Sequence, residues 1–253
     1  MILLKSAAYH KQAHYLLAVK HINKYSKHAI LSQDERSQYA EINVTAAKFS
    51  IAESSFEQAR LYVDVGMKLL GPQHWENQYV LSLKLYEMSA SISCINGDTG
   101  NMSMSLNEII ANVKSFEDSL TSSILLAKLL AASSKFGEAM RNCLSVLSIL
   151  GEEIPQDVTL QMVWDELSVI QTTLANISVE KVKLLPPMTD NSKLNAMKFL
   201  SMLCCYSIIA KPLLLPILSC RMVRLTIEHG FCDDSIVGLV TTGYGLVGAA
   251  MPF

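Results

Sequence analysis

The chain has 253 residues, of which 50% are hydrophobic and only 17% charged, enough apolar material to bury one continuous core or an elongated stack and too much for a disordered tail. A net charge of -2 and a pI near 6.3 leave no excess of cations to neutralise phosphates, which argues against broad capture of nucleic acid, and no polybasic run addresses a membrane surface. The six cysteines, Cys94, Cys143, Cys204, Cys205, Cys220 and Cys232, form no C-x-x-C pair and read as buried thiols of a reducing compartment, so a cytoplasmic location is expected.

Strand signals are nearly absent and helical periodicity dominates, so the expected class is all-α. Helices are expected at about 3–25, 33–52, 55–70, 74–95, 101–112, 116–134, 136–150, 157–176, 191–210, 212–229 and 233–249. The apolar stretch Met1 to Leu4 is too short for the core of a secretory signal. His10 and His14 stand four apart on the first helix, with His21 and His28 at further seven-residue steps. No glutamate accompanies the first pair as in a zincin, so these are read as surface histidines.

Phe56-Glu57-Gln58-Ala59 running to Gly71 recurs 80 residues later as Phe136-Gly137-Glu138-Ala139 running to Gly151. An aromatic opening a helix and a small alanine that lets its neighbour approach are tetratricopeptide-like (TPR-like) features, and the offset fits two lengthened units. The fold expectation is therefore a TPR-like α-solenoid of antiparallel helix pairs. Trp75 shares a helical face with Tyr79, Leu83 and Tyr86 at i, i+4, i+8 and i+11, and Trp75 and Trp164 are read as packing residues, with an interface anchor as the alternative. The acid pairs Glu152-Glu153 and Asp233-Asp234 are read as carboxylates favouring a following helix N-terminus.

Pro186 and Pro187 cannot continue a helix, so 184–190 is expected as an extended bridge and hinge. Thr189 or Asp190 would cap the helix near Asn191, and Leu184, Leu185 and Met188 would anchor the bridge. The expected organisation is a helical-repeat segment over 1–183, the Pro-Pro bridge over 184–190 and a truncated C-terminal helical segment over 191–253. Phe199 to Cys220 holds a single charge, Lys211, but Pro212 and Pro216 interrupt it, so a buried pair of helices is expected and no membrane span. The adjacent Cys204 and Cys205 are assigned to core packing. Gly243-x-Gly245-x-x-Gly248 matches the dinucleotide fingerprint in form, with 236–240 as its would-be strand. Five residues remain after Gly248, too few for the βαβ unit, so the glycines are read as sites of close helix packing.

Four stretches carry a family likeness: His21-Ile22-Asn23 with Ala40-Glu41-Ile42-Asn43; Gly66-Met67-Lys68-Leu69-Leu70 with Trp75-Glu76-Asn77-Gln78-Tyr79; Leu185-Pro186-Pro187-Met188-Thr189-Asp190; and Met222-Val223 with His229-Gly230. In these, and in their order, the chain resembles the helical linker of multidomain signalling kinases. Such proteins place a Ser/Thr-kinase-like domain and an AAA-type ATPase before the linker, and GAF-type sensor and histidine-kinase domains after it. The resemblance implies a role in signal transduction in which the catalytic parts lie elsewhere: no P-loop, H-R-D or D-F-G element occurs here. It also implies that the family would continue beyond Met251-Pro252-Phe253, so a fragment is expected.

Together these readings describe a non-catalytic module that meets a protein partner or flanking domains of the same polypeptide. No catalytic, cofactor-binding or metal residue is assigned, and no cofactor, small-molecule ligand or nucleic acid is expected. The alternative is a piece of an ATP-dependent signalling kinase.

Overall fold

A computed structural model describes residues 2–26 and 31–250, with the side chains of 2–11, 179, 183, 249 and 250 outside the description. His28, the side chain of His10 and the 251–253 end therefore lie outside the described residues. Those residues form thirteen α-helices and no strand: α1 (Ile2–Ser26), α2 (Gln33–Ala52), α3 (Phe56–Leu69), α4 (His74–Asn77), α5 (Tyr79–Ile95), α6 (Thr99–Asn112), α7 (Phe116–Ala132), α8 (Phe136–Ile149), α9 (Leu160–Ala175), α10 (Val179–Lys183), α11 (Asn191–Ala210), α12 (Leu214–His229) and α13 (Ser235–Ala250). The all-α expectation holds. Among the described residues no helix is long and apolar enough to cross a membrane, and 199–220 divides at Lys211-Pro212 into α11 and α12.

The chain separates into two compact units, Met1–Leu125 and Leu126–Phe253, with the boundary inside α7. In the first unit α2 packs on α3, α3 on α5 and α5 on α6. Its core gathers Ala40, Val44, Ala47, Tyr62, Val63 and Leu85, all nearly or fully buried. Gly66 permits this closeness, because a β-carbon there would stand 2.8 Å from a methyl of Leu85 and 3.6 Å from Asn43 Cβ. Asn43, fully buried, exchanges side-chain amide hydrogen bonds of 2.7 and 2.9 Å with Asn23 of α1. That pairing satisfies polar atoms which would be costly to bury alone.

One joint recurs three times. Ser54, Gly97 and Ser134 adopt left-handed φ of 57°, 69° and 59°. The amide of the following residue reaches back five positions in each case: Ser55 to the Ser50 carbonyl at 2.8 Å, Asp98 to Ser93 at 2.8 Å and Lys135 to Leu130 at 2.9 Å. This is the Schellman closure, which satisfies carbonyls left over at a helix end. The next helix starts two residues after the left-handed residue, at Phe56, Thr99 and Phe136. Seven residues before it stands a fully buried alanine each time, Ala47, Ala90 and Ala127. Nine residues after it Val63, Leu106 and Cys143 are buried. The joints are 43 and 37 residues apart, so the 80-residue echo spans two structural units, with a third joint at Gly97 between its copies.

In the second unit α11 packs on α8 and α12, and α12 on α9 and α13. After the turn at Leu184, the chain around Pro187 runs as a strap paired with Phe231. Phe231 N–H donates to the Pro186 carbonyl and Met188 N–H to the Phe231 carbonyl, both at 2.8 Å. Asp190 caps α11, accepting from the amides of Ser192 and Lys193. Met188 is buried, but Leu184 is 81% exposed and anchors nothing, because the turn that ends α10 carries it outward.

Other expectations also yield to packing. The expected helix 74–95 breaks at Gln78, whose φ of -137° and ψ of 39° separate α4 from α5. Trp164 is 43% exposed, since α9 packs through Val163, Leu167 and Ile170 instead. Of the cysteines, Cys143, Cys204 and Cys220 are buried, with thiols pushed up to about 12, 12 and 11 chiefly by desolvation, whereas Cys205 is exposed and takes no part in the core.

Candidate functional site

Two grooves, one in each unit, bring together side chains from separate elements. In the first unit a groove of about 680 Å³ runs along α2 and the start of α5, lined by Ser37, Glu41 and Thr45 on one side and Gln78, Leu81 and Lys84 on the other. The break at Gln78 shapes it: Gln78 Nε2 donates to Ser37 Oγ at 2.5 Å, while its Oε1 has no hydrogen-bond partner. Lys84 meets Lys48 of α2, and that neighbouring ammonium, together with desolvation, holds the Lys84 pKa below the usual lysine value against the opposing pull of Glu41.

An aromatic stack holds α4 against α5. The Trp75 ring lies on Tyr86 at 5.2 Å between centroids, His74 lies on Tyr86 at 5.8 Å, and Tyr79 is 6.1 Å from Trp75. Tyr79 donates its hydroxyl hydrogen to Asp118 at 2.8 Å, accepts from the Lys114 amide at 3.0 Å and carries the Lys114 ammonium 4.4 Å above its ring. Trp75 is thus a packing residue, but the geometry that unites it with Tyr86 needs the chain break that the heptad-like spacing does not reveal.

His74 lies 2.9 Å from Ser82 Oγ through Nδ1. Ser82 is fully buried and its hydroxyl also lies within hydrogen-bond reach of the His74 and Gln78 carbonyl oxygens, so the pair ties a helix start together and presents no nucleophile to a substrate. Burial lowers the His74 pKa, with Glu108 opposing. Beside the stack, desolvation raises the Glu87 carboxyl above the usual range, a hydrogen bond from Thr121 opposing and Asp118 adding to the rise. A carboxyl whose folded pKa is raised costs stability above its unfolded pKa and none below it. Glu87→Gln is therefore expected to raise the melting temperature at pH 7, with the gain shrinking as the pH falls through the ordinary glutamate range. Thermal melts at pH 7 and pH 4 check this, and a pH-independent difference would refute it.

In the second unit a groove of about 770 Å³ is lined by Gly137, Met140, Arg141 and Leu144 of α8, Ile154 and Gln156 of the loop that follows, and Ala210 and Lys211 at the end of α11. The same unit holds a buried ion-pair centre at Glu152. The Glu152 side chain is fully buried and accepts from Lys193 Nζ at 2.7 Å and Arg221 Nε at 2.6 Å. The reading of Glu152 as a helix N-terminal carboxylate is thereby corrected. α9 starts only at Leu160 and is capped by Thr159, and Glu152 instead ties the end of α8 to α11 and α12.

Comparison with protein-family models, curated proteins and solved structures finds no match to this chain.

The remaining sequence candidates do not converge. His14 and His21 are exposed on α1, and among the described residues no three His, Cys, Asp or Glu side chains are placed to hold a metal. The Gly243-Gly245-Gly248 motif lies wholly inside α13, and its would-be strand 236–240 is helical too, so its glycines do not open a helix after a strand. Nor do they all serve close packing. A β-carbon at Gly243 or Gly248 would meet nothing within 4 Å, and one at Gly245 would stand 3.4 Å from Leu167. The tight approach is made by Gly238, outside the motif, where a β-carbon would fall 2.6 Å from Met222 Cβ.

Proposed function

We propose that the chain is a non-catalytic helical-repeat module, TPR-like in its joints, which docks a protein partner or a flanking domain and relays a signal between them. The observation that carries this reading is the threefold joint: a left-handed residue, a buried alanine seven positions earlier and a new helix two positions later, at Ser54, Gly97 and Ser134. Units repeated in this way stack their helix pairs as an α-solenoid, and stacked pairs leave grooves between helices suited to peptides and domain edges. The groove of the first unit offers polar groups of both kinds along α2 and α5, among them Ser37, Glu41, Thr45 and Lys84. The likeness to the linker of multidomain signalling kinases supports the relay role, and with it the view that any kinase or ATPase activity belongs to other domains.

The test is cross-linking and mass spectrometry of partners in the native cell, with the wild-type chain beside two groove-blocking variants, Glu41→Arg with Thr45→Arg and Ser145→Arg with Ser148→Arg. Circular dichroism confirms that each is folded. A partner lost by either variant supports the module. Partners recovered equally by all three, or ATP turnover by the purified chain, would overturn it.

A further inference from the structure

α13 carries no charged residue over its whole length, Ser235–Ala250. Its inner side meets the rest of the second unit: a β-carbon on Gly238 would run into Met222 of α12, one on Gly245 would touch Leu167 of α9, and Ser235 and Thr242 are buried. Its outer side is apolar as well. Ile236, Val240, Tyr244 and Val247, between 52% and 77% exposed, recur at i, i+4, i+8 and i+11 and so share one face. Gly243 and Gly248 lie among them, with nothing within 4 Å of where their β-carbons would stand. Among the described side chains, every exposed residue of α13 is Ile, Val, Tyr or Gly. A helix that is apolar all round has the pattern of a buried helix, because a face turned to water carries polar or charged residues. The four large side chains present on the order of 500 Å² of surface, at the upper end of what the largest apolar patch of a monomer shows. Two such faces laid together cover about 1,000 Å², the size that a specific interface has to clear.

We propose that this face pairs with the same face of a second copy of the chain, the two α13 helices lying antiparallel about a twofold axis near Gly243 and Tyr244. The inference goes beyond the docking role and does not depend on either groove. A twofold interface requires a patch that complements itself. An uncharged face meets that requirement, since it does not repel its copy and offers no charge pattern to select a different protein. The order of residues supplies the register. With the axis between positions 243 and 244, Tyr244 of each copy falls on Gly243 of the other, and Val240 falls on Val247. The largest side chain thus meets the missing one, and the glycine lets the two backbones approach. A lipid surface is a poorer occupant, because α13 has no lysine or arginine to meet its headgroups.

Sedimentation velocity of the full chain over a micromolar concentration series tests the inference and should show a monomer–dimer equilibrium. Gly243→Leu is the informative variant. Its side chain would fill the space that Tyr244 of the other copy takes, yet within one chain it meets nothing, and leucine favours a helix over glycine. Dimerisation should weaken at least about tenfold, with no loss of melting temperature in dilute solution. Register is read separately, by oxidising a mixture of Val240→Cys and Val247→Cys chains with diamide and mapping the products by peptide mass spectrometry. The 240–247 cross-link should form ahead of 240–240 and 247–247. A chain that stays monomeric throughout, a dimer that Gly243→Leu leaves equally tight, or cross-links that join like positions would each overturn the proposal. None of these outcomes touches the groove-blocking variants, so the docking role stands or falls on its own test.

Discussion

Gly230→Ala is expected to destabilise the second unit by roughly 3 kcal/mol or more, since a Gly-only backbone conformation and a backbone clash act together there. Gly230 has φ 105° and ψ -179°, a region from which a β-carbon is excluded. The added atom would also fall 2.4 Å from the Pro186 carbonyl oxygen, 3.0 Å from Met188 N and 3.1 Å from the Pro187 carbonyl carbon. These are backbone atoms of the strap, which two hydrogen bonds to Phe231 hold in place, and relief requires the strap to leave. Gly97→Ala is the control. Its φ is also positive, at 69°, yet a β-carbon there meets nothing within 4 Å, so only the left-handed cost of about 1–2 kcal/mol applies. Denaturant melts compare the two, and equal losses would show that the strap yields without cost.

Some helix ends were legible from short-range chemistry, though the Ser178 cap of α10 and the Thr159 cap of α9 were not. The stretch 191–210 opens on the Asp190 cap and closes ahead of Pro212, and its expected bounds coincide with α11. The capping box of Ser32 and Glu35 marks the start of α2 equally well. What escaped was either local but unmarked, or not local at all. Two of the three recurring joints use serine in the left-handed region, where a reader of turns looks for glycine. Gln78 breaks a helix without glycine or proline, because its amide reaches 41 positions back to Ser37. Trp164 and Leu160 belong to a stripe that could face either way, and only the packing of α12 on the opposite side of α9 decides that they are exposed. The grooves were the least legible feature, since their walls come from residues tens of positions apart with no shared period.

Glu152→Gln is expected to cost the second unit about 2–3 kcal/mol, toward the lower side of what breaking a buried pair costs. Its carboxylate is fully enclosed, but its partners are not, with side chains 21% exposed for Lys193 and 33% for Arg221. Once the anion is gone, both cations can turn to water, which limits the loss. Removing both cations is harsher. Arg221→Met alone leaves Lys193 on the carboxylate and should cost about 1–2 kcal/mol, while Lys193→Met with Arg221→Met strands a buried charge and should cost more than the sum of the singles, by at least about 1 kcal/mol. Denaturant melts of the singles and the double variant check this, and additive losses would mean that Glu152 is not left stranded when both cations are gone.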